Sequence, residues 1–153
     1  MSSVAVLLSL LLAGQANDLP QTPSSLAGIW EGIQRFEQVG QCGLAGNPTR
    51  VKIAVLVDPD GSLRVQQAGA AQELDWTGRI GDGKVVFEAP SAARCDSRSG
   101  YRMSKYSGAF PTLKDGKRRL MLRGTDEPCP DQGCRFDRMM NLTWQGPLPD
   151  AAR

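Results

Sequence analysis

The 153-residue chain contains no histidine. That removes the commonest general base, the commonest metal ligand and a proximal haem ligand. Charge blocks are missing too. Eighteen Lys and Arg and sixteen Asp and Glu are interspersed and sum to +2. No basic run marks nucleic acid or an acidic membrane surface as a partner. The short run Lys117-Arg118-Arg119 reads as a solvated hairpin end. Beyond the N-terminus no apolar run approaches the roughly 20 residues of a membrane span. Helical periodicity is absent: no long segment carries apolar residues at i, i+3, i+4 and i+7. Serines are plentiful but have no histidine to activate them, and no pair of carboxylates falls on the predicted inner face. The chain is therefore expected not to be an enzyme and to need no cofactor or metal.

What is present begins with a targeting pattern. Val4 to Ala13 is apolar and broken only by Ser9, and Gly14-Gln15-Ala16 puts small residues at the −3 and −1 positions of a cleavage site. Residues 1–16 are expected to be a cleaved signal peptide, although the stretch before Val4 has no Lys or Arg; the alternative is an uncleaved anchor or a buried helix. The expected location is secreted or periplasmic, with no membrane span after cleavage. Residues 17–25 hold Pro20 and Pro23 and read as a flexible leader, 26–146 as one domain, and 147–153 as a disordered tail. A monomer is expected.

Eight strands are predicted: Gly28–Val39, Thr49–Val57, Ser62–Gln67, Glu73–Ile80, Lys84–Glu88, Tyr101–Phe110, Lys117–Gly124 and Cys134–Trp144. The pairs Asp60-Gly61, Asp82-Gly83 and Asp115-Gly116 supply the positive φ of tight turns after the second, fourth and sixth strands. The connections after the first, fifth and seventh are long. In an up-and-down arrangement the tight turns close one end and the long loops crowd the other. The predicted fold is all-β, an antiparallel eight-stranded barrel with room for packed side chains or one small ligand. An open β-sandwich is the alternative. Tyr106 and Phe110 fall on the opposite parity to Tyr101 and Met103, which predicts a bulge in the sixth strand. Gly78 and Gly108 are read as bends in the wall.

Cys42, Cys95, Cys129 and Cys134 all fall at the long-loop end. Four cysteines allow three pairings, and export favours disulfides. Cys129–Cys134 with Cys42–Cys95 is the favoured set, contributing about 2 and about 4 kcal/mol by loop closure. A four-thiolate zinc site is the alternative.

Leu26-Ala27-Gly28-Ile29-Trp30 carries Gly-x-Trp at the start of the first strand. It resembles the opening motif of lipocalins and related calycin barrels. The resemblance implies that Trp30 caps a closed end and that the other end admits small apolar ligands. The family's Thr-Asp pair between its sixth and seventh strands is replaced here by Pro111-Thr112-Leu113-Lys114-Asp115-Gly116. No Arg follows the last strand, and Gly146 to Arg153 is too short for the family's C-terminal helix.

Parity places Gln34, Gln67 and Arg138 among the inward residues. A buried cation needs a partner. Arg138 is therefore an anchor for an anionic head group, a member of an internal ion pair, or turned outward by a bulge near Cys134. The candidate ligand site is Gln67 and Arg138 with Phe87, Tyr101, Met103 and Met140 at the mouth. The expected partner is a small apolar or amphipathic molecule. The alternative is an extracellular protein, such as a hydrolase to be inhibited, held by loops 40–48, 89–100 and 125–133. Asn141-Leu142-Thr143 fits a glycosylation acceptor inside a strand.

Overall fold

The computed structural model describes residues 19–39, 48–67, 76–88, 101–128 and 135–149; for 36–39, 67, 101–104, 125–128 and 135–136 it describes the backbone only. A short helix α1 (Pro23–Leu26) precedes nine strands: β1 (Gly28–Val39), β2 (Thr49–Val57), β3 (Leu63–Gln67), β4 (Trp76–Gly81), β5 (Lys84–Glu88), β6 (Tyr101–Ala109), β7 (Thr112–Lys114), β8 (Lys117–Pro128) and β9 (Arg135–Gly146). Neighbours run β6-β5-β4-β3-β2-β1-β9-β8, and β6 also pairs with β8. That last pairing closes an antiparallel up-and-down barrel of eight strands.

The strands follow from period-2 alternation. In β2, Val51, Ile53 and Val55 are buried while Arg50 and Lys52 are exposed. A one-residue slip would turn the three β-branched side chains to water, so the register is strongly set. The same logic puts Leu63 and Val65, Val85 and Phe87, Leu120 and Leu122, and Met140 and Leu142 inside. Asp82-Gly83 and Asp115-Gly116 have positive φ at both positions, from 50° to 70°. That backbone twist matches the flanking strands.

Three points differ from expectation. The segment after β6 is not only a turn: Phe110 and Pro111 interrupt the ladder, and β7 then re-pairs with β8 through Thr112–Arg119, Leu113–Arg118 and Lys114–Lys117. Pro111 has no N–H to donate, which accounts for a break at that point. β8 runs to Pro128, four residues past Gly124, because β6 and β9 flank it on both sides; the polar run Thr125-Asp126-Glu127 carries no alternation to announce this. The leader expected over 17–25 is structured from Leu19 onward. Leu19 packs on the core, Pro23 begins α1, and Leu26 is fully buried. Residues 1–18 and 150–153 lie outside the described residues. Among the described residues no helix is long and apolar enough to cross a membrane.

The predicted bulge in the sixth strand is present. The β6–β8 register slips between Met103 and Lys105, and Tyr106 and Phe110 are buried. β6 thus changes parity within a single strand.

Candidate functional site

The end with tight turns is sealed by two indoles. Trp30 is fully buried, and its Nε1–H donates to the Leu26 carbonyl at 2.8 Å. Trp144 Nε1–H donates to the Ala27 carbonyl at 3.0 Å. Both ring donors are therefore satisfied by backbone carbonyls, Trp30 fully buried and Trp144 partly so. The Arg118 guanidinium lies 4.6 Å from the Trp144 ring centroid. The run Lys117-Arg118-Arg119 is thus not wholly a solvated hairpin end: its middle residue covers an aromatic face. An Arg does sit over a Trp at the closed end, but it comes from β8. Gly28 has φ +127°, and a Cβ there would strike the Gly146 carbonyl and the Trp144 ring nitrogen. Only glycine fits the first position of Gly-x-Trp here.

Above this floor the interior is apolar. Trp76, Phe87, Tyr106 and Met140, with Ile53, Val65 and Leu122, line a void of about 20 Å³. That is room for about one water molecule. The Trp76 and Tyr106 rings lie 5.2 Å apart at 38°, a tilted aromatic pair. Gly124 makes space for the phenol, since a Cβ there would strike the Tyr106 ring. Gly78 likewise faces Leu63 and Phe87, so it serves packing. Gly108 lets the β8 backbone approach closely at Met121.

Of the six sequence-predicted ligand residues, Phe87 and Met140 meet at this void. They are 2 % and 3 % exposed, which puts them below the mouth. Arg138 is half-buried, paired along the ladder with Phe36 and Gly124, and engaged by a neighbour. The side chains of Gln67, Tyr101 and Met103 lie outside the described residues; their backbones pair with Ile53, Pro128 and Asp126. Sequence reasoning missed Trp76 and Tyr106 as neighbours. Their signal was the parity break in the sixth strand.

Gln34 is the buried polar residue among those described, 3 % exposed. It lies opposite Met140 on β9 and Thr49 on β2, at the level of the void. Its side-chain amide has no hydrogen-bond partner among the described residues. An unpartnered buried amide costs about 1–3 kcal/mol, so it marks a place where a polar partner is worth most.

The connections after β1, β3, β5 and β8 all fall at the opposite end. They hold Cys42, Cys95, Cys129 and Cys134, which lie outside the described residues together with their pairing. Asn141 is exposed on the outer face of β9. Among the described residues no group of three or more Cys, Asp or Glu gathers to hold a metal. At the β2–β3 turn, the Ser62 hydroxyl and then the Ser62 N–H donate to Asp60 at 2.7 and 2.9 Å, holding its carboxyl below the usual carboxylate range.

Floor, apolar interior and closed ring define a small up-and-down β-barrel sealed at one end. Compared with protein-family models and with curated proteins, the chain shows no match.

Proposed function

We propose that this is an exported, calycin-like barrel that holds a small amphipathic molecule through its long-loop end. The observation that carries the reading is Gln34, a buried amide without a protein partner among the described residues, set beside an apolar interior. The void admits only one small group. The ligand's apolar tip therefore points toward Trp76, Phe87 and Met140, its polar group meets Gln34, and its body lies toward the long loops. Gly28, Trp30 and the sealed floor support the calycin-like kinship. The N-terminal signal pattern supports export. Interior sites of this kind, mostly apolar with few polar groups, are the usual form of a small-molecule pocket.

The test is extraction and native mass spectrometry of protein purified from an exporting host, followed by titration with lauric acid. Trp76 emission, isolated by Trp30→Phe and Trp144→Phe, reports occupancy of the interior. A co-purifying amphiphile, and a Trp76 response lost in Gln34→Leu, are expected. An empty protein whose Trp76 ignores the probe would overturn the reading and favour the loops as a protein-binding surface.

A further inference from the structure

The outer faces of the barrel differ in charge. On the β3–β6 side each described ion pair is local and complete. Asp58 binds Arg64 at 2.8 Å, and Glu88 takes both Arg79 at 3.3 Å and Lys105 at 3.6 Å. On the β2–β1–β9–β8 side two adjoining shallow depressions, of about 870 and 720 Å³, share Gly32, Ile33, Arg119 and Thr143. Seven cations line them and one carboxylate, Glu31, which is tied to Lys52 at 3.0 Å. That is +6 on one wall of a chain whose total is +2, leaving −4 for everything else. Arg35, Arg50 and Arg123 have no carboxylate within ion-pair distance among the described residues.

The ladder arranges this wall in rows. Arg35, Met139 and Arg123 lie side by side across β1, β9 and β8. The next row is Ile33, Asn141 and Met121, and the next is Glu31, Thr143 and Arg119. Ile33 and Met121, 38 % and 53 % exposed, are the exposed large hydrophobics among the described residues. They flank the uncharged residues 139–145 of β9, a strand that begins with Arg135, Asp137 and Arg138. Those seven residues are thus a neutral track between two cation-bearing strands, with an apolar step in the middle.

We propose that this wall docks an extended acidic polypeptide segment laid along β9. Rows two residues apart are about 7 Å apart, which is also the spacing of alternate side chains on an extended peptide. The segment therefore reads acidic, any, apolar, any, acidic. Its first carboxylate meets Arg35 and Arg123, its apolar side chain sits between Ile33 and Met121, and its second carboxylate meets Arg119, whose own pairing with the exposed Asp115 is long, 3.9 Å. Guanidinium forks match carboxylates in a bidentate manner. Other anions fit less well. Phe110, the aromatic residue lining the depressions, is buried, so bases find no stacking platform. A convex barrel wall touches a flat bilayer only along a strip.

The probe is a fluorescein-labelled peptide repeating Glu-Ser-Leu-Ser-Glu, with a scrambled peptide of the same composition, a dT oligonucleotide and phosphatidylglycerol vesicles alongside. Binding to the patterned peptide should weaken about tenfold between ~50 and ~200 mM salt. Arg35→Glu with Arg123→Glu should weaken it by at least about tenfold, or about 1.4 kcal/mol. Arg35→Gln with Arg123→Gln keeps the test valid if the reversal fails to fold. Met121→Ser should remove the preference for the patterned over the scrambled peptide. Arg79→Gln on the opposite wall should change nothing. Equal affinity for patterned and scrambled peptides, an unchanged affinity in the double variant, or binding confined to the oligonucleotide or vesicles would overturn the proposal.

Discussion

The floor of the barrel and the level just above it are built from the same materials, large aromatic and aliphatic side chains, but they treat polarity differently. At the floor both indole N–H groups find carbonyls, at 2.8 and 3.0 Å. Beside the void, the Gln34 amide is 3 % exposed and finds no protein partner among the described residues. A satisfied buried donor contributes to stability, whereas an unsatisfied one subtracts from it. The floor is therefore optimised for folding. On the proposed reading, the level of Gln34 carries a deficit among the described residues that a bound polar group would remove.

Trp30→Ala should break the floor. Loss of a fully buried indole costs about 3–5 kcal/mol, read as a lowered midpoint in urea. A cost below about 1 kcal/mol would mean that the floor collapses around the gap and is not the anchor described. Gln34→Leu should act in the other sense. It removes an amide that has no partner among the described residues and keeps a similar volume, so stability should be unchanged or rise by about 1–2 kcal/mol while the Trp76 response to lauric acid disappears. A large destabilisation would show that the amide is satisfied within the fold and would erase the contrast. Arg118→Ala sharpens the comparison at the rim of the floor, where a half-exposed cation over an indole is worth about 0.5–1 kcal/mol; denaturation of the single variant and of the Trp144→Phe pair measures it.

The smallest effect concerns the β2–β3 turn outside both levels. Asp60 has a lowered carboxyl pKa in the folded chain, chiefly through the Ser62 hydroxyl. A depressed folded value stabilises above the unfolded pKa, and that contribution disappears as pH falls through the folded value. Asp60→Asn should therefore lower the thermal midpoint slightly near pH ~7 and converge on wild type as the pH falls through the folded carboxyl value. A difference that persists in acid would assign the effect to turn geometry instead.

Much of the barrel was legible because alternation and Asp-Gly turns are local signals. β1, β2 and β5 begin and end where the alternation does. The bulge was legible as well, since Tyr106 and Phe110 contradicted the parity of Tyr101 and Met103. What escaped detection depends on neighbours distant in sequence. β7 is too short to show a period, and it exists because β8 offers it a ladder. Arg118 reads as one cation among three until β8 and β9 place it over Trp144. The basic wall is invisible along the chain because its cations come from β1, β2, β7 and β8, and only the pairing of β1 with β9 brings the two groups of strands together. Of the ligand residues, Phe87 and Met140 were found by parity; Trp76 and Tyr106 became neighbours only through the slip in β6.

Ring closure also constrains the order of assembly. β1 needs β2 on one side and β9 on the other, and the Trp144 to Ala27 hydrogen bond joins positions 117 residues apart. A chain made from its N-terminus can zip the hairpins from β2 to β5 early, because those pairings are local. β1 must wait with one edge bare until β9 has been made. Such an edge invites pairing with another chain. The half-made protein is therefore the form most exposed to aggregation, and anything that slows the arrival of β9 lengthens that exposure.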